Sequence, residues 1–281
     1  MAAGAAPPPL VRAVLIGVTG RMGRELLRAA PEFAQLIVTG AIASPESLAL
    51  GRDAGELAGL GRLNLVVTSD LPRSLEAADV ALDFSSAAAT RANLAACRAA
   101  RKPLLTGTTG FAAELEGAFA AAARDIALLV AANTSLGVTL LLELVRIAAR
   151  TLPTSFDIDV LDMHHRSKPD APSGTALALG AAAREARQGS APVAGASGAA
   201  PATDTPHREH REGEVGFASV RAGDLVGEHT VLFAGPGEQL SLTHRATDRG
   251  VFARGALAAA LWLQSRPPGR YTMRDLLVKK Q

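Results

Sequence analysis

The chain has 281 residues, enough for one large domain or two of ordinary size, and 48% of them are hydrophobic, which supports a packed core. A formal net charge of +2, with basic residues scattered and seldom beside aromatics, gives no footprint for nucleic acid. A single cysteine excludes an intrachain disulfide framework, and no run of about 18 apolar residues escapes interruption by charge, so a soluble cytoplasmic protein without a membrane span is expected.

Met1 to Leu10 has neither a basic leader nor a sustained apolar run, and reads as a frayed tail instead of a secretory signal. Val11 to Gly17 is short, apolar and β-branched, as a buried parallel strand is. It runs into Gly17-Val18-Thr19-Gly20-Arg21-Met22-Gly23 and then a helical stretch from Arg24 to Ala30, halted by Pro31. Strand, glycine turn and helix in that order suit a dinucleotide: Gly17 permits the tight turn, Gly20 lets the backbone approach a pyrophosphate, and Gly23 packs the helix on the strand. An ordinary glycine-rich turn is the plain alternative. The next strand, Leu36 to Ala43, ends at Ser44-Pro45, where an acidic side chain would meet a ribose hydroxyl, so the cofactor stays open between NADH and NADPH.

Leu65 to Thr68 and Val80 to Phe84 read as further strands, followed by a helix from Ala88 to Ala100 and a strand from Pro103 to Thr106. Gly107-Thr108-Thr109-Gly110 then stands at a strand's carboxyl end, where open α/β sheets hold ligands. A helix from Ala112 to Arg124 and a strand from Ile126 to Ala131 complete a doubly wound parallel sheet. After a helix from Gly137 to Arg150, the strand Asp157 to Asp162 delivers the chain to Met163-His164-His165-Arg166-Ser167-Lys168-Pro169-Asp170-Ala171-Pro172-Ser173-Gly174-Thr175.

This stretch reads as a cationic loop leading into a helix from Thr175 to Arg187, with Ser173 as its N-cap. A helix start offers unpaired N–H groups and partial positive charge to a carboxylate or phosphate. Histidine and lysine differ in proton affinity, so one can donate while another relays. A basic loop can equally be a solvated face, and a histidine pair a cap or a core pair, so the loop alone leaves both readings open. No metal site is expected, because Cys97 is the only cysteine and the histidines lack the spacing of a zinc helix. Gln188 to Pro206 is low in complexity and reads as a mobile loop. Gly216 to Arg221, His229 to Ala234 and Gln239 to His244 alternate as strands of an antiparallel or mixed sheet. A helix from Phe252 to Gln264 follows, with Trp262 buried on its apolar face, and Tyr271 to Lys280 closes the chain against the first domain.

Together the motifs Gly17 to Gly23, Gly107 to Phe111, Ala131-Ala132-Asn133, His164 to Lys168 with Asp170 to Ala176, and Arg221 to Thr230 resemble the 4-hydroxy-tetrahydrodipicolinate (dihydrodipicolinate) reductase family, in order over nearly the whole chain. The resemblance implies an NADH- or NADPH-dependent reduction of a cyclic imine dicarboxylate with loss of water, in lysine and diaminopimelate biosynthesis. By the same resemblance His164 is a proton donor/acceptor and Lys168 a proton donor, while His165, Ser173, Gly174 and Thr175 bind substrate. The cofactor would meet Gly17, Val18, Thr19, Gly20, Arg21, Met22, Ser44, Gly107, Thr108, Thr109, Ala131, Ala132, Asn133 and Thr134. The family implies a homotetramer and two domains: a Rossmann-like one over residues 1–134, completed by 249–281, and an α+β substrate and oligomerisation domain with a mixed sheet over 135–248. Another two-domain dehydrogenase for an amino acid or sugar, or a nucleotide sensor that has lost catalysis, are the competing readings. The paired His164 and Lys168 argue against the sensor.

Overall fold

Strand β1 (Val11–Ile16) is apolar on both sides because both faces are covered: Val11, Ala13 and Leu15 enter one buried cluster, Val14 and Ile16 another. Such two-sided burial belongs to a central parallel strand. β1 pairs in parallel with β2 (Leu36–Ile42) and with β4 (Val80–Asp83). The structure, a computed structural model, describes residues 10–111, 115–188 and 214–277. The expectations for the N-terminal tail, for the low-complexity stretch after Gln188, for a helix start at Ala112 and for the end of the C-terminal segment fall on residues outside these ranges.

The chain divides into two compact units, one running to Leu136 and resuming at Gly250, the other Gly137–Arg249. In the first, α1 (Arg21–Ala29) follows β1, and after β2 come α2 (Ala54–Ala58), β3 (Val67–Thr68) and α3 (Leu71–Glu76). Beyond β4 the order is α4 (Ala87–Ala99), β5 (Leu104–Thr106), α5 (Leu115–Ala122) and β6 (Ala127–Val130). Chain resumption at Gly250 adds α8 (Gly250–Leu263), β11 (Gly269–Tyr271) and α9 (Met273–Leu277). The strands form one parallel sheet in the order β11-β6-β5-β4-β1-β2-β3. One face packs on Leu26 and Leu27 of α1 and Ala256, Leu257 and Ala260 of α8, the other on Leu75, Leu94 and Phe119 of α3, α4 and α5. This is a Rossmann-like doubly wound architecture.

Short helices and one aromatic side chain of this first unit differ from the sequence expectation. Helices α2 and α3 were not expected, and local capping accounts for them: the Asp53 carboxylate accepts from the Gly55 and Glu56 amides, and Asp70 accepts from Arg73 N with Pro72 in the first turn. Trp262 is half-buried, not buried; its ring meets Tyr271 edge-on at 5.3 Å and carries the Arg266 guanidinium at 4.7 Å.

The second unit holds α6 (Leu136–Thr151) from Gly137 onward, β7 (Asp157–His164), α7 (Gly174–Gln188), β8 (Val215–Arg221), β9 (Gly227–Gly235) and β10 (Glu238–Ala246). Its four strands form a mixed sheet, order β10-β9-β7-β8, with β7 and β8 parallel and the other pairs antiparallel. Leu141 and Val145 of α6 and Ala176 and Leu179 of α7 cover one face of it, against Ile158, Val160, Val231 and Phe233.

Candidate active site

The nucleotide end is built by backbone. Gly17 turns the chain at φ +84°, and a Cβ there would also lie 2.5 Å from the Phe84 carbonyl oxygen. At Gly23 a Cβ would fall 2.4 Å from Gly17 O and 2.5 Å from Val18 Cα, so only glycine lets α1 sit this close to the turn. Gly20 is exposed and caps α1 without a side-chain bond, and no acidic residue occupies the helix's first turn. The positive helix end is thereby left for an anion such as a pyrophosphate. Thr19 and Met22 are half-buried and Arg21 is exposed, but Val18 is a core residue whose side chain is buried and whose amide bonds Ile42 O at 3.1 Å. Ser44 stands exposed just past β2.

Gly107 follows β5, and a Cβ on it would strike the Phe84 ring at 2.1 Å. Thr108 is buried beside it, while Thr109 is exposed. Past β6, Ala131 is buried, Ala132 is exposed, and Asn133 accepts the Ser135 amide at 2.9 Å. Thr134 is buried and its hydroxyl donates to Phe252 O at 2.6 Å, so this side chain secures α8. All these residues lie at or just beyond the carboxyl ends of β1, β2, β5 and β6, along one edge of the parallel sheet. Asp83, buried at the end of β4, accepts from the Ser85 amide and hydroxyl at 3.0 and 2.6 Å and so fastens the Phe84–Ser85 turn against Gly17. Burial raises its proton affinity, and the Ser85 and Asn93 hydrogen bonds offset part of that.

The second unit gathers the titratable groups. β7 alternates strictly, burying Ile158, Val160, Asp162 and His164 on the helix-covered face. His164 is therefore the last residue of a strand, not part of the following loop; the strand runs two residues further than the sequence suggested. Register carries the polar row across the sheet: Ser219 of β8 and His229 of β9 stand opposite Asp162, and His244 of β10 opposite His229.

Asp162 is fully buried, and its neighbours converge on it. Oδ2 accepts from the Ser173 amide at 2.8 Å, the Arg221 guanidinium at 2.9 Å and the Ser219 hydroxyl at 3.4 Å. Oδ1 lies 2.9 Å from His164 Nδ1 and 3.3 Å from His229 Nε2, close but poorly aligned for hydrogen bonds. Burial alone would raise the Asp162 proton affinity, yet the His229, Arg221 and Ser173 contacts together hold the carboxyl well below the usual range. His164 is pushed down to about 4, first by burial and then by the charges of His229, Lys168 and Arg221, against the opposing pull of Asp162. The ring is neutral at ordinary pH and able to take or give one proton.

Of the remaining expected residues, His165 is half-buried with Nδ1 2.9 Å from the Ser167 hydroxyl. Lys168 Nζ is held by both oxygens of Asp170, at 2.7 and 2.9 Å, so its ammonium already has an internal partner. Ser173 is the helix cap, its Oγ accepting from Ala176 N at 3.2 Å and lying 3.0 Å from His229 Nε2. Gly174 opens α7, exposed and with no atom where a Cβ would stand, and the first turn holds no acidic residue. A carboxylate can approach there without steric or electrostatic opposition. Among the described residues Asp162, His164 and His229 also come within the spacing of a metal site, but the Arg221 guanidinium already occupies the Asp162 carboxylate, which suits a proton-handling cluster better than a dication.

Sequence reasoning assigned no role to Asp162, Arg221, His229 or Gly227. The period-two pattern Ile158, Val160, Asp162, His164 was the available signal. Gly227 makes room for the His164 ring, since a Cβ on it would lie 2.9 Å from His164 Nε2.

Two family models, described as dihydrodipicolinate reductase N-terminus and C-terminus, match residues 11–134 and 137–277. A curated 4-hydroxy-tetrahydrodipicolinate reductase of Alkalilimnicola ehrlichii is 46% identical over 269 residues, covering 95% of this chain and 98% of the relative. Among solved structures, a dipicolinate-bound dihydrodipicolinate reductase from Paenisporosarcina sp. TG-14 superposes with a TM-score of 0.74 at 21% identity, covering 94% of this chain and 97% of that one. A probable dehydrogenase from Thermotoga maritima gives a TM-score of 0.60 at 13% identity, with 95% and 92% covered. At those identities the two structures speak for the fold alone.

Proposed function

The chain belongs to the dihydrodipicolinate reductase family, and from that premise we propose how its residues divide the work. The reaction is the reduction of 4-hydroxy-tetrahydrodipicolinate to tetrahydrodipicolinate with release of water, in lysine and diaminopimelate biosynthesis. Family membership sets aside the amino-acid or sugar dehydrogenase.

When bound, the reduced nicotinamide supplies a hydride to the ring of the substrate. The turn Gly17 to Met22 seats the pyrophosphate, a fit supported by the close packing around the turn, which a Cβ at Gly17 or Gly23 would prevent, and by a helix start without an acidic residue. Gly107 to Thr109 and Ala131 to Thr134 flank the nicotinamide half, Val18 and Thr134 contributing main chain. Ser44 offers no carboxylate either to bind a ribose 2′-hydroxyl or to repel a 2′-phosphate, so this position selects neither NADH nor NADPH.

On the substrate side, the α7 start at Gly174 and Thr175 receives one carboxylate, with Ser173 shaping the cap, and His165 receives the other end of the ring acid. The hydroxyl leaves as water with a proton taken from the neighbouring ring carbon, and one hydride and one solvent-derived proton then add to the unsaturated ring; His164 and Lys168 hold and move these protons. The observation that carries this reading is the convergence around Asp162: the carboxylate beneath His164 also accepts the amide of Ser173, the cap of the helix that receives substrate.

We assign the nucleotide half to residues 1–134 with 249–281 and the substrate half to 135–248, within a cytoplasmic homotetramer that joins through the mixed sheet. Its face away from α6 and α7 carries half-buried Leu161, Met163 and Leu232 and exposed Val220, an apolar surface suited to a second copy. The test of function is direct. Purified protein, given NADH or NADPH and substrate generated in situ by the preceding synthase, should consume nicotinamide absorbance with at least one cofactor; no oxidation of either would refute the assignment.

A further inference from the structure

We propose that Asp162 is the positioning residue for His164, a buried carboxylate that fixes the ring with Nδ1 toward itself and so presents Nε2 for proton exchange. The inference rests on the reading of His164 as the group that trades a proton with substrate. Three observations carry it.

First, Asp162 is held as a rigid anion. Oδ2 is taken by the Ser173 amide, the Arg221 guanidinium and the Ser219 hydroxyl, which sets the plane of the carboxylate and turns Oδ1 to the two imidazoles. A fold that needed only stability at this core position would be served as well by an apolar side chain, because desolvating an ion pair consumes much of what the pairing gains.

Second, the ring is held at one end and left clear at the other. Nδ1 is 2.9 Å from Oδ1, while at the Nε2 end Gly227 carries no Cβ, which would stand only 2.9 Å away. A histidine whose one nitrogen faces a carboxylate carries its proton there and keeps the lone pair on the other, the orientation a proton acceptor requires.

Third, the anion reaches the rest of the site. Arg221 also donates to the carbonyl of Asp170 at 2.6 Å, the residue whose carboxylate holds Lys168, and Ser173 is the cap of α7. The groups facing His164 are thus Asp162 on its own strand, Arg221 from β8, His229 from β9 and Lys168 from the loop. Asp162 is the one anion among them.

The experiment is a double-mutant cycle on the full chain with saturating NADPH, comparing wild type, Asp162→Asn, His164→Ala and the double variant. Asp162→Asn should lower kcat by roughly 30- to 1000-fold with a smaller change in substrate KM, and lower it less than about threefold once His164 is already alanine. Equal losses in both backgrounds would make Asp162 merely structural and overturn the proposal. So would a fully active Asp162→Asn beside an impaired His164→Ala, an outcome that leaves the proposed function standing. A fully active His164→Ala would instead remove the reading on which the proposal rests. Independently of any variant's folding, 15N spectra of histidine-labelled wild type should place the His164 proton on Nδ1; the Nε2–H tautomer would overturn the assignment.

Discussion

His164 and Asp162 tie the chemistry to acid stability. Folding pushes the His164 proton affinity down from 6.5 to about 4, so between those values the unfolded chain binds the extra proton and stability rises with pH. The contribution is fully present above the ordinary histidine range and is lost as pH falls from about 6.5 toward 4, with an upper bound of ~3 kcal/mol from 1.36 kcal/mol per unit. Asp162, held below the usual carboxylate range, adds a loss that begins only at still lower pH. Melting temperature should therefore decline from pH 7 to pH 4, and the decline should be shallower in His164→Ala; equal slopes in the two proteins would refute this account of His164. At this scale the sequence was half legible. The residues with unusual local company, His164, Lys168 and Ser173, stood out, whereas Asp162, Arg221 and His229 become a cluster only through strand register, which joins positions 59 and 67 residues away from Asp162.

Among elements, long periodic runs and glycine turns were readable and short capped ones were not. β1, α1 and α7 follow from apolar period and capping chemistry, whereas α2 and α3 each rest on one aspartate cap and a few residues, too little pattern to separate from loop. Met163-His164-His165 reads as loop from composition, yet β7 continues through His164; its alternation shows that a buried polar row can continue a strand that its composition hides. The glycines give a sharp test. Gly23→Ala places a methyl 2.4 Å from backbone that cannot yield, so α1 must shift, and the variant should lose ~1–3 kcal/mol of stability and at least about tenfold in nucleotide affinity. Gly117→Ala, in α5 with nothing within 4 Å, should be neutral or more stable by up to ~1 kcal/mol. Thermal melts with cofactor titrations decide the pair; an unaffected Gly23→Ala would mean the turn does not grip the nucleotide as described.

For the whole molecule, the alternation of strand and helix before residue 136 and the run of strands after residue 214 spell a parallel sheet and a mixed one, and the structure has both. What the pattern could not supply was which face of the mixed sheet turns to its helices, because that depends on packing contributed by α6 and α7. In the proposed division of labour, nucleotide affinity belongs to the glycine turn, and proton handling to His164 at the end of β7 and Lys168 in the loop after it. Single-turnover hydride transfer, measured beside nucleotide affinity in wild type, His164→Ala and Lys168→Ala, tests it most directly. The rate should fall by about 10²–10⁴-fold in each variant while the nucleotide Kd stays within about threefold; hydride transfer at the wild-type rate in both variants would contradict it.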